Sequence, residues 1–216
     1  MTDEHITVAG LGEASAVPDV AVLSIGVEVT EKSVAKARQQ AAQAASAVMA
    51  SLAKNGVAEK DIRTAGLQLH PQYDYSRNTA PKIIGYLASH QLSVKVRSMD
   101  TLSEVVDGAV IAGGDAARLQ GIGFEVDDSS QLLAAARRNA IADARLRAET
   151  YAEAAGVKVG PVQVISEVEE REPAPRGMMM AARAESMKMA DTPIQPGEST
   201  ISVRVTVRFG LSETPG

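Results

Sequence analysis

Two long stretches of the sequence, residues 33–54 and 130–155, repeat their apolar residues every three or four positions. This spacing predicts a helix with one apolar face in each stretch. The first helix is predicted to end at Asn55-Gly56 and the second at Gly156, since glycine is favoured just after a helix. Most residues of the first apolar face are alanine, so whatever packs on that helix must approach it closely.

Most of the remaining segments alternate apolar and polar residues with a period of two, which predicts strands. The clearest alternation lies in residues 200–209. Thr101-x-x-Glu104 predicts a capping box that opens a shorter helix through about residue 111. The order lacks regular βαβ alternation, so the predicted fold class is α+β, a largely antiparallel mixed sheet backed by two long Ala-rich helices and a shorter one. Strands are predicted over 4–13, 19–30, 62–73, 83–97, 118–126, 161–170 and 200–209.

The chain length of 216 residues suits one large domain or two intertwined halves. We expect a single domain over 1–216, and the two long helices, each followed by two strands, suggest halves at about 1–97 and 98–211. Residues 173–199 stand apart because they hold four of the nine prolines and five of the eight methionines. No period fits this segment, which is therefore predicted to be a flexible excursion between two strands.

Composition excludes several classes of function. A net charge of -5 and a pI of about 5.3 disfavour a broad nucleic-acid-binding surface. The absence of cysteine excludes disulfides, thiolate metal sites and cysteine catalysis. There is no apolar run of about 18 residues, so no transmembrane segment is predicted. The first five residues also lack the pattern of a signal peptide.

No catalytic or cofactor-binding constellation is recognised. Gly10-Leu11-Gly12 lacks the third glycine of a dinucleotide fingerprint and is followed by a strand, so its glycines are interpreted as structural residues of a turn or bulge. His70 and Asp74 could converge on one hairpin, but two ligands make a weak metal site. No acid pair stands out for general acid–base work. Separation in sequence favours surface or strand positions for all three histidines: His5, His70 and His90.

The charged residues near the second long helix are interpreted as structural. Asp127 and Asp128 precede this helix, where negative charge and an N-cap side chain are favourable. Glu167 belongs to an acidic group at a strand end and is interpreted as part of a solvated rim. The arginines of the helix stand among acidic residues, which indicates a solvated face with i,i+4 pairs: Arg137, Arg138, Arg145 and Arg147.

The methionine cluster leaves two interpretations open. Thioethers are soft ligands suited to Cu(I), and four of these methionines are close enough in sequence to form a metal site: Met178, Met180, Met187 and Met189. Methionines are also flexible apolar groups that adapt to a partner surface and oxidise reversibly. A poorly ordered or partner-packed segment is the favoured interpretation.

Several separate segments together resemble the SIMPL-domain family, whose bacterial members include periplasmic immunogenic and outer-membrane-associated proteins. The resemblance starts at Gly10-Leu11-Gly12-Glu13 with Pro18-Asp19 and extends over about residues 5–211. It continues through these motifs: Asp61-Ile62-Arg63-Thr64, Pro71-Gln72-Tyr73-Asp74-Tyr75, Ile84-Gly85-Tyr86-Leu87-Ala88-Ser89, Ile122-Gly123-Phe124, the helix from Ala136 to Gly156, and the closing strand from Ile201 to Phe209.

The resemblance implies an α+β protein that is exported in bacteria, so a signal peptide is expected to have been removed. It also implies links to the cell envelope and to oxidative stress, and in some members a homo-oligomer. No agreed catalytic residues can be carried over. We therefore predict a non-enzymatic periplasmic protein without cofactor that acts through self-association or binding of an envelope protein partner. The alternative is a Cu(I)-binding or oxidant-responsive protein that uses the methionine cluster.

Overall fold

The structure is a computed structural model that describes residues 4–75, 80–168 and 196–212. Its strands and long helices follow in the predicted order, and short 3-10 turns precede or follow some of them. The strands are β1 (His5–Ala16), β2 (Val20–Glu31), β3 (Ile62–Asp74), β4 (Lys82–Val96), β5 (Ala117–Glu125), β6 (Lys158–Val168) and β7 (Ser199–Ser212). The helices are α1 (Val34–Lys54), α2 (Leu102–Gly113) and α3 (Ser130–Ala155).

The α+β class is confirmed, and the paired strands are antiparallel throughout the described residues. The strands divide between two sheets rather than one. Sheet A has the order β1-β7-β6, and sheet B has the order β3-β4-β2-β5. Most of the predicted segment 173–199 lies outside the described residues, so its predicted flexibility stays a prediction.

The described residues form two compact units. One unit holds sheet B with α1 and α2, and its core combines alternate residues of β2 and β4 with the alanine face of α1. The other unit holds sheet A with α3, and its core combines alternate residues of β7 with four alanines of α3. In sequence, the sheet B unit is inserted between β1 and α3.

Both units contain the same βαββ connection. The strands β2, β3 and β4 with α1 have the sheet order β2-β4-β3, and the strands β1, β6 and β7 with α3 have the matching order β1-β7-β6. The expected internal repeat is thus visible in the topology, although it groups β1 with the later elements. The assignment of one domain to residues 1–216 stays a prediction.

The helix ends confirm one prediction and correct another. Gly156 follows α3 in the left-handed conformation, as its position predicted. The capping box at Thr101 is wrong, because a 3-10 turn over Met99–Thr101 precedes α2 and removes Thr101 from the extended conformation that a capping residue needs. Its hydroxyl instead donates to the Ser98 carbonyl oxygen. Asp128 accepts the Ser130 N–H at the start of α3, as expected of an acidic residue there.

The two glycines of β1 lie inside a regular strand, which corrects their interpretation as turn or bulge residues. A methyl group at Gly10 would overlap the Ala140 carbonyl and the backbone of Ala144. A methyl group at Gly12 would overlap the backbone of Ala136 and Ala140. The glycines therefore let the backbone of α3 lie directly on the face of β1.

Candidate functional site

The polar residues considered for chemistry have partners that explain them structurally. His70 Nε2 lies 3.3 Å from Gln68 Oε1 on the same strand, and His90 Nε2 lies 3.3 Å from the Thr64 hydroxyl. Both contacts are of the kind expected for surface or strand histidines. Neither brings His70 and Asp74 together as a pair.

Arg97 forms a two-bond ion pair with Asp61. Its Nε and one terminal nitrogen each donate to a separate carboxylate oxygen of Asp61 at 2.8 Å. The hydrogen bonds from Arg97 are the main reason why the pKa of Asp61 is lowered. The pair joins the residue before β3 to the residue after β4, with the Asp61 side chain 7% exposed and the Arg97 side chain 47% exposed. Its role is structural.

The predicted metal ligands divide into two groups. Within residues 4–75, 80–168 and 196–212, no three His, Asp or Glu side chains gather closely enough to hold a metal ion. The methionines Met178, Met180, Met187 and Met189 lie outside the described residues. Cu(I) binding by this cluster therefore stays a prediction.

Each sheet has two edge strands, and the edge of β1 is closed by side chains of α3. The Leu11 N–H donates to Asp143 Oδ2 at 2.8 Å, and Asn139 Nδ2 donates to the Glu13 carbonyl oxygen at 2.7 Å. The bond from Leu11 is the main cause of a lowered pKa at Asp143, and Arg147 adds to it. Edge groups that are already bonded cannot pair with another strand, so the part of the β1 edge at Leu11 and Glu13 is less open to edge-to-edge association.

The edges of β6 and β5 are irregular. The pairing of β6 shifts twice between Val159 and Val164, and Pro161 removes a donor in the same stretch. Glu167 near its end is held by Arg137 of α3 through two bonds of 2.9 Å, which lowers the pKa of Glu167. The short strand β5 pairs with β2 across a register shift. Bulges, proline and charge are the usual means of blunting a sheet edge.

The remaining edge strand, β3, holds Pro71, and its pairing with β4 shifts between Thr64 and Gly66 and again between Gln72 and Tyr73. Its pairing with β4 runs without a shift from Gly66 to Gln72. In this stretch Leu67 and Leu69 lie opposite His90 and Ala88, and Ala88 belongs to the core that faces α1. Directly paired residues share a face, so both leucines point to the helix side of the sheet.

Little of the described part of the chain nevertheless covers the helix side of β3. Helix α1 packs mainly on β2 and β4 and barely reaches β3. Leu67 is therefore 72% exposed and Leu69 41% exposed. By period two, Tyr73 continues on this face, and it pairs with the exposed Ile83. We call these four residues the apolar strip: Leu67, Leu69, Tyr73 and Ile83.

The far end of the strip lies on a two-stranded arm. The last pair between β2 and β4 is Glu31 with Tyr86, so β4 before Tyr86 pairs with β3 alone. Tyr75 at the end of the arm lies against Tyr73, with ring centroids 6.1 Å apart. A ribbon of two strands is only marginally stable in water by itself. An exposed apolar surface on such a ribbon is typical of a site that another protein covers.

None of the described helices is long and apolar enough to cross a membrane. Comparison with known proteins gives a family match over most of the chain. The sequence model of the SIMPL family, described as a protein of unknown function (DUF541), matches residues 6–209.

Two curated relatives extend this match. The 26 kDa periplasmic immunogenic protein of Brucella melitensis is 33% identical over 223 residues, which cover 96% of this chain and 84% of the relative. The uncharacterized protein YggE of Escherichia coli K12 is 33% identical over 189 residues, which cover 87% of this chain and 76% of the relative. A crystal structure of a hydrolase from Listeria innocua aligns over 97% of this chain and 92% of its own length, with a TM-score of 0.22 and 10% identity. That likeness is too weak to bear on fold or activity.

Proposed function

The chain belongs to the SIMPL family of proteins of unknown function, and on that premise we propose that it acts in the periplasm by binding protein rather than by catalysis. The word periplasmic in the name of the Brucella relative supports the location. The binding surface is the apolar strip together with the neighbouring edge of β3. A role in oxidative stress, implied by the family resemblance, is a further prediction that fractionation and stress assays of a deletion strain would test.

One observation carries this proposal. Leu67 and Leu69 lie on the core-facing side of their sheet, yet no described element covers them. Polar residues there would keep the surface wet at no cost in stability, whereas exposed leucines favour association. The neighbouring backbone belongs to an edge strand of sheet B, where a second strand can be added. Apolar contact and strand addition at one place form the recurring mode of recognition called β-augmentation.

A matched pair of variants tests the proposal. Leu67→Lys puts a charge on the apolar strip, and Ile111→Lys puts the same charge on α2 in the same unit, where Ile111 is 80% exposed. Both positions face water, so neither change should unfold the chain. Burying one leucine contributes about 1.5 to 3 kcal/mol, so Leu67→Lys should weaken association about 10- to 100-fold.

The assay is absolute mass by light scattering after size exclusion at several concentrations, with capture of envelope proteins on the immobilised chain. For the unchanged chain and for Ile111→Lys, we expect a mass above 22.6 kDa or specific capture of an envelope protein. For Leu67→Lys, we expect that whichever of these two results the unchanged chain gives is lost. If Leu67→Lys and Ile111→Lys behave alike in both measurements, the apolar strip is not the binding surface and the proposal fails.

A further inference from the structure

We propose that Asn55 is a modification site, at which the side-chain amide is lost by reaction with the backbone nitrogen of Gly56 when α1 separates from α2. Asn55 caps the end of α1, and Gly56 follows it. The inference goes beyond the proposed function, because it needs no partner and concerns residues of the sheet B unit other than the apolar strip.

The reaction needs only the chain and water. The backbone nitrogen of Gly56 attacks Cγ of Asn55, so a bond forms between these two atoms and a succinimide ring closes. The bond from Cγ to Nδ2 breaks, and the amide leaves as ammonia with the proton of the attacking nitrogen. Water then opens the ring on either side of that nitrogen, which leaves an aspartate or an isoaspartate at position 55.

Gly56 makes Asn55 the asparagine most open to this attack. A side chain on the residue that supplies the attacking nitrogen would shield it, and glycine has none. Gly56 is exposed, and a methyl group built on it would meet no atom within 4 Å. The other two asparagines of the chain, Asn78 and Asn139, are followed by threonine and alanine.

The native fold engages both reacting groups. Asn55 Nδ2 donates to the Ser51 carbonyl oxygen at 3.0 Å and lies 3.5 Å from the Ser51 hydroxyl oxygen. The Gly56 N–H donates to the Ala53 carbonyl oxygen at 3.1 Å. Both bonds must break before the nitrogen can reach Cγ, so the reaction requires the last turn of α1 to open. Local opening of this kind controls how fast protected backbone groups react.

Helix α2 holds that turn closed. A methyl group at Gly108 of α2 would lie 2.6 Å from Asn55 Nδ2 and 3.1 Å from Ser51 Oγ. The amide therefore packs directly against the backbone of α2, at a place that only glycine leaves free. Because α2 packs more on α1 than on any strand, the turn opens when the two helices separate.

The product cannot restore the native packing. An aspartate at position 55 has no N–H for the Ser51 carbonyl oxygen, and it places a negative charge at the negative end of the helix dipole. An isoaspartate also lengthens the backbone by a carbon atom. That change would break the bond of 3.1 Å from the Val57 N–H to the Leu52 carbonyl oxygen, although Val57 is buried in the core of this unit. Deamidation therefore marks a chain that has opened and keeps it loosened.

Peptide mass mapping of the purified chain, stored at mildly alkaline pH, tests the site. Replacement of NH by O in the measured mass identifies each modified asparagine. We expect Asn55 to convert while Asn139 stays unchanged in the folded chain, and conversion of Asn55 to be at least about tenfold faster in denaturant. Equal rates at Asn55 with and without denaturant would overturn control by the fold, and no conversion in either would overturn the site.

A matched pair of variants tests the role of α2. Gly108→Ala crowds the Asn55 amide, whereas Gly121→Ala adds the same methyl group to β5 of the same unit without meeting an atom. Overpacking should raise the rate at Asn55 about 5- to 150-fold, up to the rate of the unfolded chain, and Gly121→Ala should leave it unchanged. Equal rates in the two variants would overturn control by α2. Circular dichroism confirms that each variant is folded at the start, and if Gly108→Ala is not, the comparison with denaturant decides.

The variant Asn55→Asp tests the consequence of the reaction. It should lower Tm by about 3 to 10 °C, because the cap loses its donor and gains a charge. Gln43→Glu, the same amide-to-acid change at an exposed position of α1, should leave Tm within about 2 °C. Equal Tm values in the two variants would overturn the claim that deamidation loosens the unit. None of these results depends on the apolar strip, so the proposed function is tested separately.

Discussion

Replacing Gly12 by alanine should destabilise the sheet A unit severely, although the change adds only one methyl group. The added carbon would overlap the carbonyl oxygen of Ala136 and the amide nitrogen of Ala140. Both atoms belong to the backbone of α3 and cannot rotate away as a side chain would. The helix must therefore move off the strand, or the strand must bend.

The loss of stability depends on how much packing in the core is lost when α3 and β1 move apart. The core of this unit consists of Val8, four alanines of α3 and four residues of β7. A gap of about 0.5 to 1 Å along a packed surface forfeits a quarter to a half of its dispersion energy. Overpacking a core costs about 1 to 3 kcal/mol and occasionally more. Since this core is small and the clash is with backbone, we expect about 3 kcal/mol, or a fall in Tm of about 6 to 12 °C.

The matched control is Gly121→Ala in β5, another glycine of a strand. A methyl group there would meet no atom within 4 Å. Alanine restricts the unfolded chain, so this variant should be unchanged or more stable by about 0.4 to 1 kcal/mol. Thermal unfolding followed by far-ultraviolet circular dichroism suits a chain without tryptophan. If Gly12→Ala unfolds at the same temperature as Gly121→Ala, then α3 does not pack on β1 as described.

Two further predictions concern carboxylates. The hydrogen bonds from Arg97 lower the pKa of Asp61 in the folded chain, so their stabilisation is complete above the unfolded pKa near 3.8 and is lost as the pH falls through the lower folded value. Asp61→Asn should therefore flatten the decline of Tm below about pH 4, and an unchanged acid profile would contradict this. Asp143→Ala removes the acceptor of the Leu11 N–H and should cost about 1 to 2 kcal/mol in chemical unfolding. The control Glu149→Ala, which breaks an exposed i,i+4 pair, should cost less than about 0.5 kcal/mol. Equal losses of stability in Asp143→Ala and Glu149→Ala would show that the bond from the Leu11 N–H to Asp143 contributes nothing.

The order and class of the elements could be predicted because their signals are local. The alanine period of α1 and α3 and the glycine after α3 each depend on residues within one helix. The α3 arginines show the limit of this reasoning. Arg145 pairs with Glu149 at i,i+4, as predicted, whereas Arg137 pairs with Glu167 on β6. Such a partner depends on which strand the helix crosses, and the spacing of residues within one helix does not determine that strand.

The candidate surface could not be predicted from the sequence for the same reason. The sequence predicts an extended segment over residues 62–73, and the alternation of Leu67 and Leu69 with polar neighbours is what a half-buried strand shows. Whether a helix covers that face depends on which strands of sheet B pack against α1, and these are mainly β2 and β4. The glycines of β1 were similarly recognised as structural, but their neighbour α3 begins more than a hundred residues later.

The shared βαββ topology explains why an edge is left open at β3. In both units the helix covers the first strand and the central strand, and the third strand, β3 or β6, is the least covered. The outer edge of the first strand is closed in each unit by a different means: β5 pairs with β2, whereas Asn139 and Asp143 bond the edge of β1. The third strands are alike, since each holds one proline and two register shifts. Each also carries exposed apolar side chains: Leu67 and Leu69 on β3, and Val162, Val164 and Ile165 on β6. Each unit thus presents its third strand as a sheet edge with exposed apolar side chains, which is the kind of surface that strand addition uses, and the comparison of Leu67→Lys with Ile111→Lys tests that use at β3.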